Sequence, residues 1–214
     1  LTTIDFDRDG KLDLAIAADT AGVISLLRGN GDGTFGDPVS LAAGNSPVAI
    51  LSEDLDADGM PDLIVANRSD NTVSVYLGRG DGTFATRQNF AVGSGPAALS
   101  AGDFDNDGKL DLAVANQSAN NVSVLKGAGD GSFTTRTDFT TGNGPAALGI
   151  GDFNGDGRQD LAVANQTDDT VSVFIGDGNG GFAAHTDFST ADGPVALTTI
   201  DFDRDGKLDL AIAA

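Results

Sequence analysis

Cysteine and tryptophan are absent from this sequence, and methionine, tyrosine and histidine occur once each. Without cysteine there is no disulfide staple and no thiol chemistry, although the compartment stays open. General acid–base catalysis draws on His, Glu, Lys or Tyr in a tuned site. Here His185, Glu53 and Tyr76 each stand alone, and none recurs at a fixed spacing. No nucleophile elbow, zinc spacing or phosphate loop is present. GDGNGG (176–181) reads as a hairpin tip rather than a nucleotide fingerprint. The chain is therefore not expected to be an enzyme. No apolar run approaches the roughly 20 residues of a membrane-crossing helix, so no direct membrane insertion is expected. Basic residues are scarce: 12 against 32 acids give a formal charge of −20, which disfavours nucleic acid as a partner. A leader peptide and an initiator Met are also missing, so the chain is expected to be a mature segment or an excerpt.

What is abundant is glycine, aspartate and repetition. Asp5, Asp54, Asp103, Asp152 and Asp201 are 49 residues apart, as are Pro47, Pro96, Pro145 and Pro194, and Phe35, Phe84, Phe133 and Phe182. One unit, from residue 96, contains the short runs AALSAGDF, LAVAN, NVSVLKG and TTRTDFTTG, each of strand length and bounded by Gly, Asp, Asn or Pro. No sustained helical period is present. The glycines before Phe84 and Phe133 suit hairpins that need positive φ. Each proline suits the opening of a first strand, where a missing N–H is tolerated. The fold expected is all-β: a β-propeller of 49-residue, four-stranded antiparallel blades, with four full repeats and the start of a fifth. Residues 1–214 would form one repeat domain with units starting near 1, 50, 99, 148 and 197. Residues 197–214 repeat residues 1–18 letter for letter. This suggests an excerpt of a longer array, or part of an oligomeric ring, with open blade edges that invite self-association.

The acidic stretches are DFDRDGKLD (5–13), DLDADGMPD (54–62), DFDNDGKLD (103–111), DFNGDGRQD (152–160) and DFDRDGKLD (201–209). Together they hold 19 of the 32 acids and six of the 12 bases, so −13 of the −20 charge is concentrated in them. Calcium takes six to eight hard oxygen ligands from a tightly curled backbone. Oxygen side chains at loop positions 1, 3, 5 and 9, a Gly at 6 and a carbonyl at 7 could supply that shell. An EF-hand would need Glu at position 12 between helices; these loops lead straight into strands. Asp and Gly are also plain turn formers, but five loops in register outweigh that reading. Magnesium, which prefers water-rich octahedra, is the weaker candidate.

The stretches GPAALSAGDFDNDGKLDLAVANQ (95–117) and NVSVLKGAGDGSF (121–133), with their counterparts, resemble the FG-GAP/VCBS-type calcium-binding repeats of integrin α-chain propellers and bacterial surface proteins. The resemblance covers the whole chain. It implies one Ca2+ per loop, up to five, held between the first and second strand of each blade, and a secreted or cell-surface setting. The ligands it implies are Asp5, Asp7, Asp9, Lys11 (carbonyl) and Asp13; Asp54, Asp56, Asp58, Met60 (carbonyl) and Asp62; and Asp103, Asp105, Asp107, Lys109 (carbonyl) and Asp111. In the fourth and fifth units they are Asp152, Asn154, Asp156, Arg158 (carbonyl) and Asp160, and Asp201, Asp203, Asp205, Lys207 (carbonyl) and Asp209. Asn154 lowers the charge of loop four, and Pro61 stiffens loop two.

The function expected is an extracellular, calcium-stabilised scaffold, an adhesion or protein-interaction module with an unidentified protein or glycan ligand. Calcium-dependent carbohydrate binding is the alternative, with a polysaccharide-active enzyme behind it. Asn67, Asn116, Asn165, Gln117 and Gln166 could line a rim pocket for a sugar, although turn and strand-end hydrogen bonding suits them better. His185 is in register with Pro38, Arg87 and Arg136 and reads as an exposed strand residue. The Arg79-Gly80-Asp81 tripeptide lies in a hairpin whose counterparts lack the arginine.

Overall fold

The computed structural model describes residues 1–214. It contains four four-stranded antiparallel sheets, a final two-stranded sheet and one short 3-10 turn at Asp19–Ala21. Blade one comprises β1 (Thr2–Ile4), β2 (Asp13–Ala18), β3 (Val23–Leu27) and β4 (Val39–Ala42). Blade two comprises β5 (Pro47–Glu53), β6 (Asp62–Asn67), β7 (Thr72–Tyr76) and β8 (Gln88–Ala91). Blade three has β9 (Pro96–Gly102), β10 (Asp111–Asn116), β11 (Asn121–Gly127) and β12 (Phe133–Thr140). Blade four has β13 (Pro145–Gly151), β14 (Asp160–Asn165), β15 (Thr170–Phe174) and β16 (Thr186–Ser189). The last sheet pairs β17 (Ala196–Ile200) with β18 (Asp209–Ala213).

Within each full blade the strands are neighbours in chain order. The first strands β1, β5, β9, β13 and β17 also pack successively against one another, which sets the blades around a common axis. Pro47, Pro96 and Pro145 are the first residues of β5, β9 and β13, as the missing N–H requires; Pro194 precedes its strand by two residues.

Every residue of β6, β10 and β14 is buried. These second strands are sandwiched between the preceding and following blades, so both faces are apolar and the usual polar alternation disappears. Leu63 and Val65 pack with Ile4, Phe6 and Ile24 of blade one, while Ile64 between them packs with Leu112 and Val114 of blade three. The period-2 side-chain alternation thus sends successive residues into different inter-blade cores. Phe84, Phe133 and Phe182 cover the edges of three such cores. Phe35 is left largely exposed.

Asn67, Asn116 and Asn165 end the buried second strands with no solvent exposure, so they do not line a rim pocket. Each donates from Nδ2 to the Ser hydroxyl of the third strand (Ser74, Ser123, Ser172; 2.8 Å). That hydroxyl donates onward to Asn89, Asp138 or Asp187 of the fourth strand. Gln117 bonds Gln166 of the next unit at 3.0 Å. In the hairpins Asp32, Asp81 and Asp130 accept from the N–H and hydroxyl of Thr34, Thr83 and Ser132. Asp81 of the RGD tripeptide is therefore a turn-forming residue shared with its neighbours.

Candidate metal centres

The loop joining first to second strand is built in the same way in each unit, and loop three illustrates it. Asp103 at position 1 accepts from Asp107 N (3.1 Å) and Gly108 N (2.9 Å), folding the chain back over its carboxylate. Asp105 at position 3 accepts from Asp107 N at 3.2 Å, and Asp107 at position 5 accepts from Lys109 N at 3.0 Å. Position 6 is a glycine at φ between 79° and 88° in every loop. Position 4 was not foreseen from the sequence: Arg8, Ala57, Asn106 and Arg204 are left-handed there (φ 57° to 63°), and loop four has Gly155.

Position 9 does more than the sequence indicated. Asp111 Oδ2 accepts from Phe104 N (3.0 Å) at loop position 2, and Oδ1 accepts from Gly127 N (2.8 Å) at the end of β11. Asp13, Asp62 and Asp160 repeat both bonds with Gly29, Gly78 and Gly176. The buried carboxylate thereby locks the loop to the third strand. Each oxygen keeps a further lone pair for a cation. The partner glycine is obligatory, because a Cβ on Gly29, Gly78, Gly127 or Gly176 would overlap the carbonyl of loop position 8. Its recurrence every 49 residues was the signal available in the sequence.

The result is convergence. Carboxylate oxygens of Asp5, Asp7 and Asp13, of Asp54, Asp56 and Asp58, of Asp103, Asp105 and Asp111, and of Asp201, Asp203 and Asp209 lie within 4.8 Å of one another in each trio. Loop four gathers no such trio: Asn154 turns its amide to Asp156 (3.0 Å). At position 5, Asp9, Asp107, Asp156 and Asp205 face the loop's own position-7 cation, at 2.8 to 3.9 Å. Position 7 also donates its N–H to the position-5 carboxylate in all five loops.

Burial raises the Asp13 and Asp111 carboxyls above the ordinary range and pushes Asp62 up to about 6, with nearby carboxylates adding to the effect. Asp56 is raised by burial and then by the charge of Asp58. Clustered, partly desolvated carboxylates of this kind could hold a cation. An all-oxygen, anionic donor set fits calcium and offers no soft or nitrogen ligand for a transition metal.

Radial four-stranded blades carrying an acidic loop between their first two strands define a β-propeller built of acidic-loop repeats. The FG-GAP-like repeat family matches residues 5–65, 54–114, 103–163 and 152–212, and the chain belongs to that family. No characterised protein matches it in sequence. In structure it is similar to the periplasmic gluconolactonase of Pseudomonas aeruginosa (TM-score 0.68, 19% identity, 99% of this chain and 56% of that one). It is also similar to an Agrocybe aegerita lectin that recognises non-reducing terminal N-acetylglucosamine (0.60, 21%, 99% and 56%). A third similar structure is the V. cholerae biofilm matrix protein Bap1 (0.58, 18%, 100% and 34%). The chain spans less than two thirds of each, and these likenesses establish the propeller fold alone.

Proposed function

We propose that this chain is a calcium-stabilised β-propeller scaffold, non-enzymatic, serving outside the cell as an adhesion or protein-interaction module. The observation that carries the reading is the recurrence of converging carboxylate trios in four loops, at positions 1, 3 and 9 in loops one, three and five and at positions 1, 3 and 5 in loop two. In loops one to three the position-9 carboxylate also ties the loop to the end of the third strand. A single specialised binding site would be expected to break the repeat; a structural ion is expected to follow it. The position-1, 3, 5 and 9 carboxylates and the position-7 carbonyl would hold the ion, and binding energy released there becomes folding energy. The family and the likeness to a biofilm matrix protein support the extracellular setting.

Catalysis and glycan binding receive less support. Tyr76 is buried and donates its hydroxyl to Ala42 O (2.9 Å), so it offers no sugar platform. His185 is paired with Asp187 (2.9 Å) beside the outer strand of blade four. The test is a thermal melt of the metal-stripped chain, repeated with calcium and with magnesium. A large, calcium-selective rise in Tm is expected; equal curves in all three conditions would overturn the reading.

A further inference from the structure

Resting on the calcium reading, a second pattern distinguishes the loops from one another. The residue just before the obligatory glycine of the third strand is Arg28 in unit one, Leu77 in unit two, Lys126 in unit three and Ile175 in unit four. A cation alternates with an aliphatic side chain. Lys126 projects from β11 over loop three, where its Nζ hydrogen-bonds Asp105 Oδ2 and lies 3.4 Å from Asp107 Oδ2. The cleft it occupies, about 110 Å3, is lined among others by Asp105, Asp111, Asn179 and Gly180. Arg28 Nε stands 3.4 Å from Asp7 Oδ2 over loop one.

Loop two is the opposite case. Its third-strand residue is Leu77 and its position 7 is Met60, where the other loops have Lys or Arg. It takes part in none of the molecule's ion pairs, although Asp54, Asp56 and Asp58 converge there.

We infer that the third-strand residue sets the order in which the loops fill with calcium: Lys126 is a tethered cation that calcium must displace from Asp105 and Asp107, whereas loop two has no internal counterion and fills first. An ammonium left beside a bound divalent ion repels it, and one swung away forfeits its ion pair. Either way loop three binds more weakly. Lys126 is a positioning residue in this scheme, acting through the carboxylates it holds.

The test titrates 15N-labelled chain with calcium while following the position-6 glycine amides Gly59 and Gly108 as reporters of loops two and three. Gly59 is expected to shift at lower calcium than Gly108. Lys126→Leu should lower the Gly108 midpoint by roughly tenfold, the size of one screened charge–charge repulsion. Leu77→Lys should raise the Gly59 midpoint comparably, and Lys126→Arg should leave Gly108 where it was. A Gly108 midpoint unmoved by Lys126→Leu, or a Gly108 that responds before Gly59, overturns the inference and leaves the calcium reading intact. Amides that ignore calcium in every loop overturn the calcium reading itself, and this inference with it.

Discussion

Ile4 and Ile200 hold the same place in two identical sequences, yet Ile4 is 4% exposed and Ile200 is 49% exposed. Phe6 and Phe202 differ in the same way, at 4% and 56%. The cause lies outside the repeated segment. Ile4 and Phe6 are covered by Leu63, Val65, Tyr76 and Phe84 of blade two, and no blade within residues 1–214 covers β17–β18.

That asymmetry predicts self-association of the 214-residue polypeptide. Covering one large apolar side chain is worth about 1.5–3 kcal/mol, and the exposed Ile200 and Phe202 of one copy can be covered by an open blade edge of another. Light scattering should give a mass above 21.5 kDa that rises with concentration. Ile200→Thr with Phe202→Ser should return the monomer. A parent chain that stays monomeric at every concentration would contradict the prediction.

The bond from Asp111 to Gly127 makes both residues sensitive. Asp111→Asn places an amide N–H₂ against a backbone N–H in a buried site, at a cost of about 3 kcal/mol. Gly127→Ala drives a methyl into the Leu110 carbonyl and is expected to cost at least ~3 kcal/mol. Denaturant melts of the metal-free chain check both, because the loss is then independent of calcium. Wild-type stability in either variant would mean that the lock between loop and strand carries little.

The 49-residue period, the strand count and the acidic loops were legible because they are local: alternating apolar runs, turn residues and Asp at every second position. The dual role of Asp13, Asp62 and Asp111 was not, because the Gly N–H that each accepts lies 16 residues away and on a different strand. Asn67, Asn116 and Asn165 resisted reading for a similar reason. A polar residue at a strand end looks exposed until the neighbouring blade covers it. The alternation of Arg28, Leu77, Lys126 and Ile175 was visible in the sequence, but only the packing shows that this position overhangs the acidic loop.

Positions 4 and 6 of each loop share a left-handed backbone but differ in residue, which predicts mutations of opposite sign in loop two. Gly59 (φ 79°) has open space around its Cα, so Gly59→Ala costs only the conformational penalty of about 1–2 kcal/mol. Ala57 (φ 57°) already bears that strain. Ala57→Gly should release it, less roughly 0.4–1 kcal/mol for the freer unfolded chain, leaving a net gain of at most about 1.6 kcal/mol. Loop four has a glycine at this position, Gly155, at φ 76°. Melts of the two single variants that move Tm in the same direction would refute the argument.

The raised position-9 carboxyls should make metal-free stability fall as pH rises from about 5 to about 7, above the range in which lowered carboxyls such as Asp152 and Asp168 add stability with pH. Burial raises the folded carboxyls of Asp13 and Asp111, and Asp62 reaches about 6 against an ordinary 3.8. A carboxyl whose folded pKa lies above its unfolded one binds its proton more tightly in the native state. Its favourable contribution is therefore complete below pH ~3.8 and is lost on passing through the folded pKa, near 6 for Asp62. The gap between 3.8 and about 6 is worth about 3 kcal/mol in full, and the Asp54 and Asp56 charges contribute to it. Calcium reverses the sign, since it binds the ionised form. At saturating metal, Tm should rise over the same interval, and binding near pH 6 should release protons measurable by calorimetry in buffers of different ionisation enthalpy. If the chelated and calcium-loaded melts respond to pH in parallel, the buried position-9 carboxylates do not feel the ion, and only positions 1, 3 and 5 would remain as its side-chain ligands.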